Sequence, residues 1–126
     1  RHLTFSWRPR IVKSVLQRPP SAAVFDALGD ATRRAIVERL SLGPASVSAL
    51  AEPLGVSVAA VLQHLRVLEE ARLVTTSKEG RVRVCRLHQE GLDVARAWLD
   101  ARRRVQERRL DRLAAVLGEG EEERGG

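Results

Sequence analysis

The sequence reads Ala51-Glu-Pro-Leu-Gly-Val-Ser57 between two stretches whose apolar residues recur at helical spacing. Ala51 is small enough for a second helix to cross the first one beside it. Gly55 follows four residues later, where the turn between two such helices needs a residue that tolerates a positive φ angle. Val61 is expected to fill the space between the helices. The pattern predicts a helix-turn-helix, and an ordinary helical hairpin that ends in a glycine cap is the alternative.

Five helices are expected along the chain, as judged from apolar spacing and from capping residues. Ser21, Asp30 and Ser57 are each expected to cap a helix, because their side-chain oxygens can accept hydrogen bonds from free amides of the first turn. The third helix begins at Ser46 or at Ser48. The expected helices cover residues 21–28, 31–42, 46–54, 57–71 and 89–117.

The apolar period changes from helical to alternating after residue 72. Leu73-Val-Thr-Thr-Ser77 is typical of a strand, and Val82 to Leu87 is typical of a returning strand. The four residues between them, Lys78-Glu-Gly-Arg81, predict a tight turn. The sequence therefore predicts a mainly α-helical fold with a small β-hairpin.

Basic residues outnumber acidic ones by 22 to 16, which gives a net charge of +6, and only Lys13 and Lys78 are lysines. Because the planar arginine fork suits phosphates and base edges, nucleic acid is the expected partner. Residues 1–20 carry five basic groups and no acids, and they form a basic arm that can hold a short helix. We expect residues 21–117 to form one domain and the acidic, glycine-rich residues 118–126 to form a disordered tail.

Cys85 is the only cysteine, which excludes an internal disulfide and a Cys–Cys metal clip. We expect it to be a small core residue on the second strand. No apolar run has the length of a membrane span, and no segment resembles a cleaved secretory signal. The chain is therefore expected in the cytoplasm. It shows no Gly-rich phosphate loop, Ser-His-Asp set or metal cluster, so it is not expected to be an enzyme.

Several motifs resemble those of one bacterial family, in the same order. They are Phe25-Asp-Ala-Leu-Gly-Asp-Ala-Thr-Arg-Arg-Ala-Ile36, Leu50-Ala51, Gly55-Val-Ser57, His64-Leu-Arg-Val-Leu-Glu-Glu-Ala-Arg-Leu-Val74 and Glu79-Gly-Arg81. The resemblance is to the ArsR/SmtB family of repressors and covers residues 21–117. It implies a winged helix-turn-helix homodimer that pairs through its first and last helices and binds an operator with two-fold pseudo-symmetry. In many members an inducer, often a metal ion, weakens DNA binding.

The metal sites of that family are not matched in this sequence. Its third helix has Ala45-Ser-Val-Ser-Ala49 where metal-sensing members carry a cysteine-containing motif, and its last helix has no histidine. His2, His64 and His88 form no recognisable ligand set. We therefore expect no metal and no cofactor. The alternatives are a metal- or small-molecule-sensing repressor with an unrecognised site, or a winged helix used for protein–protein contact.

Polar residues of the second helix of the motif are candidates for DNA contact. Gln63 suits bidentate contact with adenine in the major groove. His64 either contacts phosphate or packs near the turn, and Arg66 is expected at the DNA backbone. Val58 and Leu62 take places that are polar in relatives, which leaves the operator sequence open. The expected DNA-binding residues of the helix and the hairpin wing are Ser57, Gln63, His64, Arg66, Lys78, Arg81 and Arg83.

The last helix carries more apolar residues at helical spacing than one small core can cover. This surplus predicts a dimer interface that the last helix forms together with the first. The expected interface residues are Phe25, Leu92, Trp98, Leu99, Leu110 and Leu113. The sequence thus predicts a homodimeric, DNA-binding transcriptional repressor whose inducer it does not identify.

Overall fold

The computed structural model describes the backbone of residues 18–125 and the side chains of residues 18–118. The chain separates into two compact units, the first ending at Val94 and the second beginning at Ala95. The elements are α1 Pro20–Leu28, α2 Ala31–Leu40, β1 Ala45–Ser46, α3 Val47–Leu54, α4 Val58–Glu70, β2 Val74–Glu79, β3 Val82–Leu87 and α5 Gln89–Gly125. The predicted mainly helical fold with a β-hairpin is confirmed. The predicted arm lies outside the described residues as far as residue 17.

Three helices of the first unit begin at side chains that cap them. Asp30 and Ser57 cap α2 and α4 as predicted, each accepting a hydrogen bond from the backbone N–H three residues further on, at 3.0 and 3.1 Å. Ser46, and not Ser48, caps α3 in the same way at 3.1 Å. These bonds satisfy amides that have no partner within the helix, and so they fix where each helix starts.

Three helix boundaries differ from the sequence predictions by a few residues. α1 begins at Pro20, whose fixed φ suits the first turn of a helix, and not after a Ser21 cap. α2 ends two residues early, since Leu42 is exposed and a further turn would bury nothing. α5 continues past Leu117, where the sequence predicts the tail to begin, as far as Gly125. The glutamates of that last segment are good helix formers.

A third strand joins the predicted hairpin and makes an antiparallel sheet in the order β1-β3-β2. β1 is not predicted from the sequence, because two residues are too few to show an alternating pattern. β2 and β3 pair along their whole length, so only Gly80 and Arg81 remain for the loop. Gly80 takes the positive φ of 66° that such a tight turn needs.

The core of the first unit lies between its helices and the sheet. Val61 is fully buried, as its place after the turn predicts. Cys85 is fully buried as well, which confirms it as a core residue. Burial raises the pKa of the Cys85 thiol, and the charge of Glu69 adds to this effect. The other largest buried side chains are Ile36, Leu50, Leu65, Leu68, Leu73, Val24 and Val74.

The first turn of α5 is held against the turn that follows α4. The Gly91 N–H donates to the Arg72 carbonyl at 2.8 Å, and the His88 N–H donates to the Leu73 carbonyl at 2.8 Å. A Cβ atom at position 91 would lie 2.7 Å from the carbonyl oxygens of Ala71 and Arg72. Only glycine permits so close an approach between the two backbones.

The second unit is the remainder of α5. All its side chains over residues 102–117 are exposed. Contacts within the helix include the ion pair of Arg96 with Asp100 at 3.8 Å, and Arg102 lies 4.9 Å from the centre of the Trp98 ring. No helix of the described residues is by itself long and apolar enough to cross a membrane, although α3 and α4 pass on length and composition as a bent pair.

Candidate nucleic-acid interface

Residues 51–57 form the turn of a helix-turn-helix. α3 and α4 are bent by 112° relative to each other, which lies within the range of about 90–120° found for this motif. Gly55 ends α3 with a positive φ of 66°, and Val61 in the first turn of α4 is buried. The structure therefore confirms the motif and excludes a simple antiparallel helical hairpin.

α4 has one buried side and one exposed side. Val61, Leu65 and Leu68 are buried at helical spacing, which fixes how the helix is rotated about its axis. The opposite side faces solvent, and from residue 58 to residue 66 its exposed side chains are Val58, Ala59, Leu62, Gln63 and Arg66. The two polar candidates therefore share a face with three apolar residues.

The cations of the hairpin differ in whether they are held by other side chains. Arg86 pairs with Glu79 at 2.8 Å and neutralises the one carboxylate of β2 and β3. Arg83 donates to a threonine hydroxyl of β2 at 3.2 Å. No side-chain contact to another described residue holds Lys78 or Arg81 at the tip. Sequence reasoning missed the Arg86 pair, since it depends on the strand register.

Strand register decides which way the hairpin cations face. Lys78 lies opposite Arg83, and Cys85 is the next residue on the same face of β3. Because Cys85 is buried, this face is the one that packs on the core, and α4 contacts the same sheet. Arg83 and Arg66 accordingly line one hollow between α4 and the sheet, together with Glu69 and Glu70 of α4. α4 and the hairpin thus form this hollow together, and each contributes one arginine to it.

A cleft of about 270 Å³ opens between the hairpin and the first turns of α3 and α4. Its lining includes Val58, Leu62, Arg81, Val82 and Arg83, together with a valine and two serines of β1 and α3, and no carboxylate belongs to this described lining. Val58, Leu62 and Val82 are 47%, 42% and 47% exposed, respectively, whereas the valine of α3 is buried. The cleft is thus lined by exposed apolar side chains next to two arginines.

His64 lies apart from the exposed candidates. Only 24% of its side chain is exposed, and its Nδ1 lies 3.9 Å from a carboxylate oxygen of Asp30. The Arg33 N–H, followed by the charges of Arg33 and His64, holds the pKa of the Asp30 carboxyl below its usual value. Of the two alternatives for His64, this geometry favours packing near the turn over contact with phosphate.

No three histidine, cysteine, aspartate or glutamate side chains converge within the described part of the chain. His88 has Glu90 at 3.6 Å, and no third such residue completes a set there. A zinc or arsenite site needs three or four converging ligands. The described residues therefore do not fit the metal site that is found in metal-sensing repressors, and His2 lies outside them.

The predicted dimer residues are distributed over both units. In the first unit, Phe25 and Leu92 are half-buried. In the second unit all four candidates are exposed on α5, and they are Trp98, Leu99, Leu110 and Leu113. Val116, which sequence reasoning missed, is exposed as well. The second unit thus carries exposed apolar side chains at several positions along α5.

Similar proteins were found by sequence. The helix-turn-helix domain family matches residues 28–77, from the end of α1 into β2. The HTH-type transcriptional regulator Rv2034 of Mycobacterium tuberculosis is 52% identical over 83 residues, which make up 66% of this chain and 77% of that protein. The match therefore extends beyond the motif itself.

Solved structures of helix-turn-helix transcriptional regulators are also similar to this chain. A crystal structure of an ArsR family transcriptional regulator is 39% identical, with a TM-score of 0.66 over 70% of this chain and 91% of that one. A solution structure of a homodimeric winged helix-turn-helix DNA-binding domain, Mb0332 from Mycobacterium bovis, is 28% identical. Its TM-score is 0.56 over 77% of this chain and 87% of that one.

Proposed function

The chain belongs to the ArsR family of helix-turn-helix transcriptional regulators, and we propose that it is a repressor that binds an inverted-repeat operator as a homodimer. Members of this family bind DNA and regulate transcription; the repressor role, the operator symmetry and the contacts are our inference. One observation carries it, namely the exposed face of α4 beside the cations of the hairpin. Nothing in this role requires catalysis, and we place the protein in the cytoplasm with its DNA.

In this proposal α4 enters the major groove with its first turns against the base edges. Gln63 is exposed there, and its amide can both accept and donate to one adenine. Arg66 meets the DNA backbone one turn later. The Ser57 hydroxyl oxygen caps the helix, which leaves its O–H free to donate to a phosphate. His64 contacts Asp30, the cap of α2, and in this proposal the contact holds α4 against α2.

The hairpin acts as a wing that binds the phosphate backbone of DNA. Lys78 and Arg81 need to give up no contact with a described side chain before they bind phosphate, and Arg83 gives up one hydrogen bond to a hydroxyl. Arg86 stays with Glu79 and so prevents that carboxylate from repelling DNA. Phosphate contacts of this kind add affinity without sequence preference, and salt weakens them.

The homodimer is inferred from the exposed apolar residues of the second unit. Leu110 and Leu113 are each 58% exposed on a helix that is otherwise rich in charged residues. Residues three and four apart share a helix face, so Leu110, Leu113 and Leu117 form one stripe. A second copy that presents the same stripe buries both. The homodimeric Mycobacterium bovis domain supports this assembly, with Phe25 and Leu92 of the first unit as further contacts.

Selection of DNA from a pool of random duplexes tests the proposed function. We expect the full chain to enrich an inverted repeat, and sedimentation of the complex to give two copies of the chain per duplex. Gln89→Ala, an exposed glutamine outside the motif, serves as a control that selects the same sequence. Enrichment of no sequence, or of a site occupied by one copy, would contradict the proposal.

No metal is expected to alter DNA affinity, because the described residues offer no converging set of ligands. Titration with zinc, cadmium and arsenite during an operator-binding measurement checks this expectation. Affinity should be unchanged at stoichiometric metal. A stoichiometric loss of affinity would show that the chain holds a sensing site, and the alternative of a metal-responsive repressor would then be correct.

A further inference from the structure

We propose that Val58 and Leu62 recognise thymine, through van der Waals contact with its 5-methyl group in the major groove. This inference rests on the proposed function, since it needs α4 to lie in that groove. It makes these two apolar residues determinants of specificity alongside Gln63. The operator half-site would then carry thymines at the positions that face the first turns of α4.

The first observation is where the two side chains stand. Val58 and Leu62 are one helical turn apart, so they project from the same side of α4. They remain 47% and 42% exposed, although Val61 and Leu65, each three residues further along α4, are buried. Exposed apolar area costs free energy in water unless a partner covers it. Both residues also line the cleft that the hairpin closes on one side.

The second observation is the charge around them. Arg81 and Arg83 line the same cleft, and its described lining includes no carboxylate. Arg66 follows Leu62 by one turn on the same exposed face. The adjoining hollow, which Leu62, Arg66 and Arg83 line as well, also includes Glu69 and Glu70 of α4. Within the cleft itself, a partner that combines an apolar group with negative charge fits both the exposed side chains and the arginines. The major groove at an A·T pair does so, because the thymine methyl is the apolar group on its floor and phosphates border it.

Helix geometry limits where the two thymines can be. A separation of four residues moves a side chain about 6 Å along the axis of α4, and stacked bases rise about 3.4 Å per step. Val58 and Leu62 thus reach bases about two steps apart. Gln63, next to Leu62, lies within reach of an adenine in the same stretch. The half-site recognised by α4 should consequently consist mainly of A·T pairs.

Uracil-substituted DNA tests the inference on the unaltered protein. Deoxyuridine pairs as thymine does but lacks the 5-methyl group. On the sequence enriched by selection, each thymine is replaced in turn, and at the two contacted positions we expect affinity to fall about fourfold per methyl. Replacement in both half-sites should give a loss of about fifteenfold, since the two effects multiply.

Variants then assign each methyl to its side chain. Leu62→Ala should abolish the difference between thymine and uracil at one position and keep it at the other, and Val58→Ala should do the reverse. Val67→Ala is the matched control, because Val67 is an exposed apolar residue of α4 that does not line the cleft. It should discriminate between thymine and uracil as the unaltered chain does.

Two outcomes would overturn the inference in different ways. Equal affinity for thymine and uracil at every position of the enriched sequence overturns it while the proposed function stands. So does a loss in Leu62→Ala that is equal for both bases, which would mean that Leu62 supports a protein or ligand contact. A selection that enriches no sequence overturns the proposed function and this inference together.

Discussion

The first turns of α4 and the second unit both expose apolar side chains, but the two surfaces differ in shape and in charge. At α4 the apolar residues are few, they lie in a cleft, and unpaired or weakly held cations surround them. On the second unit they recur along one helix, where Arg96 and Arg103 are paired with carboxylates one turn away. The first surface suits a polyanion with small apolar groups, and the second suits another copy of the same helix.

The largest expected effect comes from the surface on the second unit. The double variant Leu110→Glu, Leu113→Glu places four carboxylates on the stripe where two copies would meet, so the dimer should dissociate. DNA affinity should then fall about a hundredfold or more, because each copy binds its half-site alone. Sedimentation measures the dimer, and a mobility-shift titration measures the affinity.

Ala115→Glu is the control for that variant, since position 115 lies on the opposite side of α5 from the stripe. It should remain a dimer with unaltered DNA affinity. If the double variant still sediments as a dimer, the apolar surface of the second unit has another partner, and the contrast between the two surfaces would lose its basis.

A smaller effect is expected where α5 starts. Gly91→Ala forces a methyl group to within 2.7 Å of two carbonyl oxygens, and overpacking of this kind lowers the free energy of unfolding by about 1–3 kcal/mol. Gly118→Ala is the matched control, because a Cβ there meets nothing within 4 Å. It should raise stability by up to about 1 kcal/mol. Urea denaturation that finds both variants alike would show that the backbone contact at Gly91 is not tight.

The sequence predicts those features that depend on near neighbours in the chain. Asp30 and Ser57 cap helices, and Gly55 forms the turn between two helices, through contacts within one helical turn. Their roles therefore follow from residue type and spacing. The same holds for the helix-turn-helix and for the turn of the hairpin. Helical spacing also predicts which polar residues of α4 are exposed, and Gln63 and Arg66 are exposed as this spacing predicts.

Features that depend on contacts between distant elements could not be predicted. β1 exists because two residues pair with the middle of β3. The contact of His64 with Asp30, the cap of α2, depends on how α4 packs against α2. Arg33 and Arg34 each donate to a carbonyl group at the end of α1 at 2.7 Å, and the spacing of residues within α2 does not reveal these contacts. The cleft that Val58 and Leu62 line likewise needs the hairpin to be in place.

Arg81→Ala should have a modest effect that is independent of DNA sequence. The loss of one phosphate contact weakens binding to operator and random DNA alike and reduces the slope of log affinity against log salt by about one. Leu42→Ala, at an exposed residue that does not line the cleft, is a control that should leave the slope unchanged. An unaltered slope in Arg81→Ala would mean that the hairpin is not a DNA-contacting wing.

The smallest effect concerns the cap of α2. Because the folded state lowers the pKa of Asp30, its ionised form contributes stability above the usual value of 3.8, and this contribution is lost as the pH falls through the lowered folded pKa. Asp30→Asn keeps a capping oxygen but cannot ionise. The melting temperature of the unaltered chain should exceed that of Asp30→Asn at pH 7, and the two should converge below pH 3.8. A difference that does not depend on pH would contradict the charge-based account.

The central claim is that α4 reads bases while the hairpin binds phosphate, and the ratio of operator affinity to random-DNA affinity tests it most directly. Gln63→Ala should lower operator affinity by about 1–3 kcal/mol and leave random-DNA affinity nearly unchanged, so the ratio falls. Arg81→Ala, measured beside it, should lower both affinities and keep the ratio. If Gln63→Ala weakens binding to both DNAs equally, the assignment of α4 to base recognition is wrong.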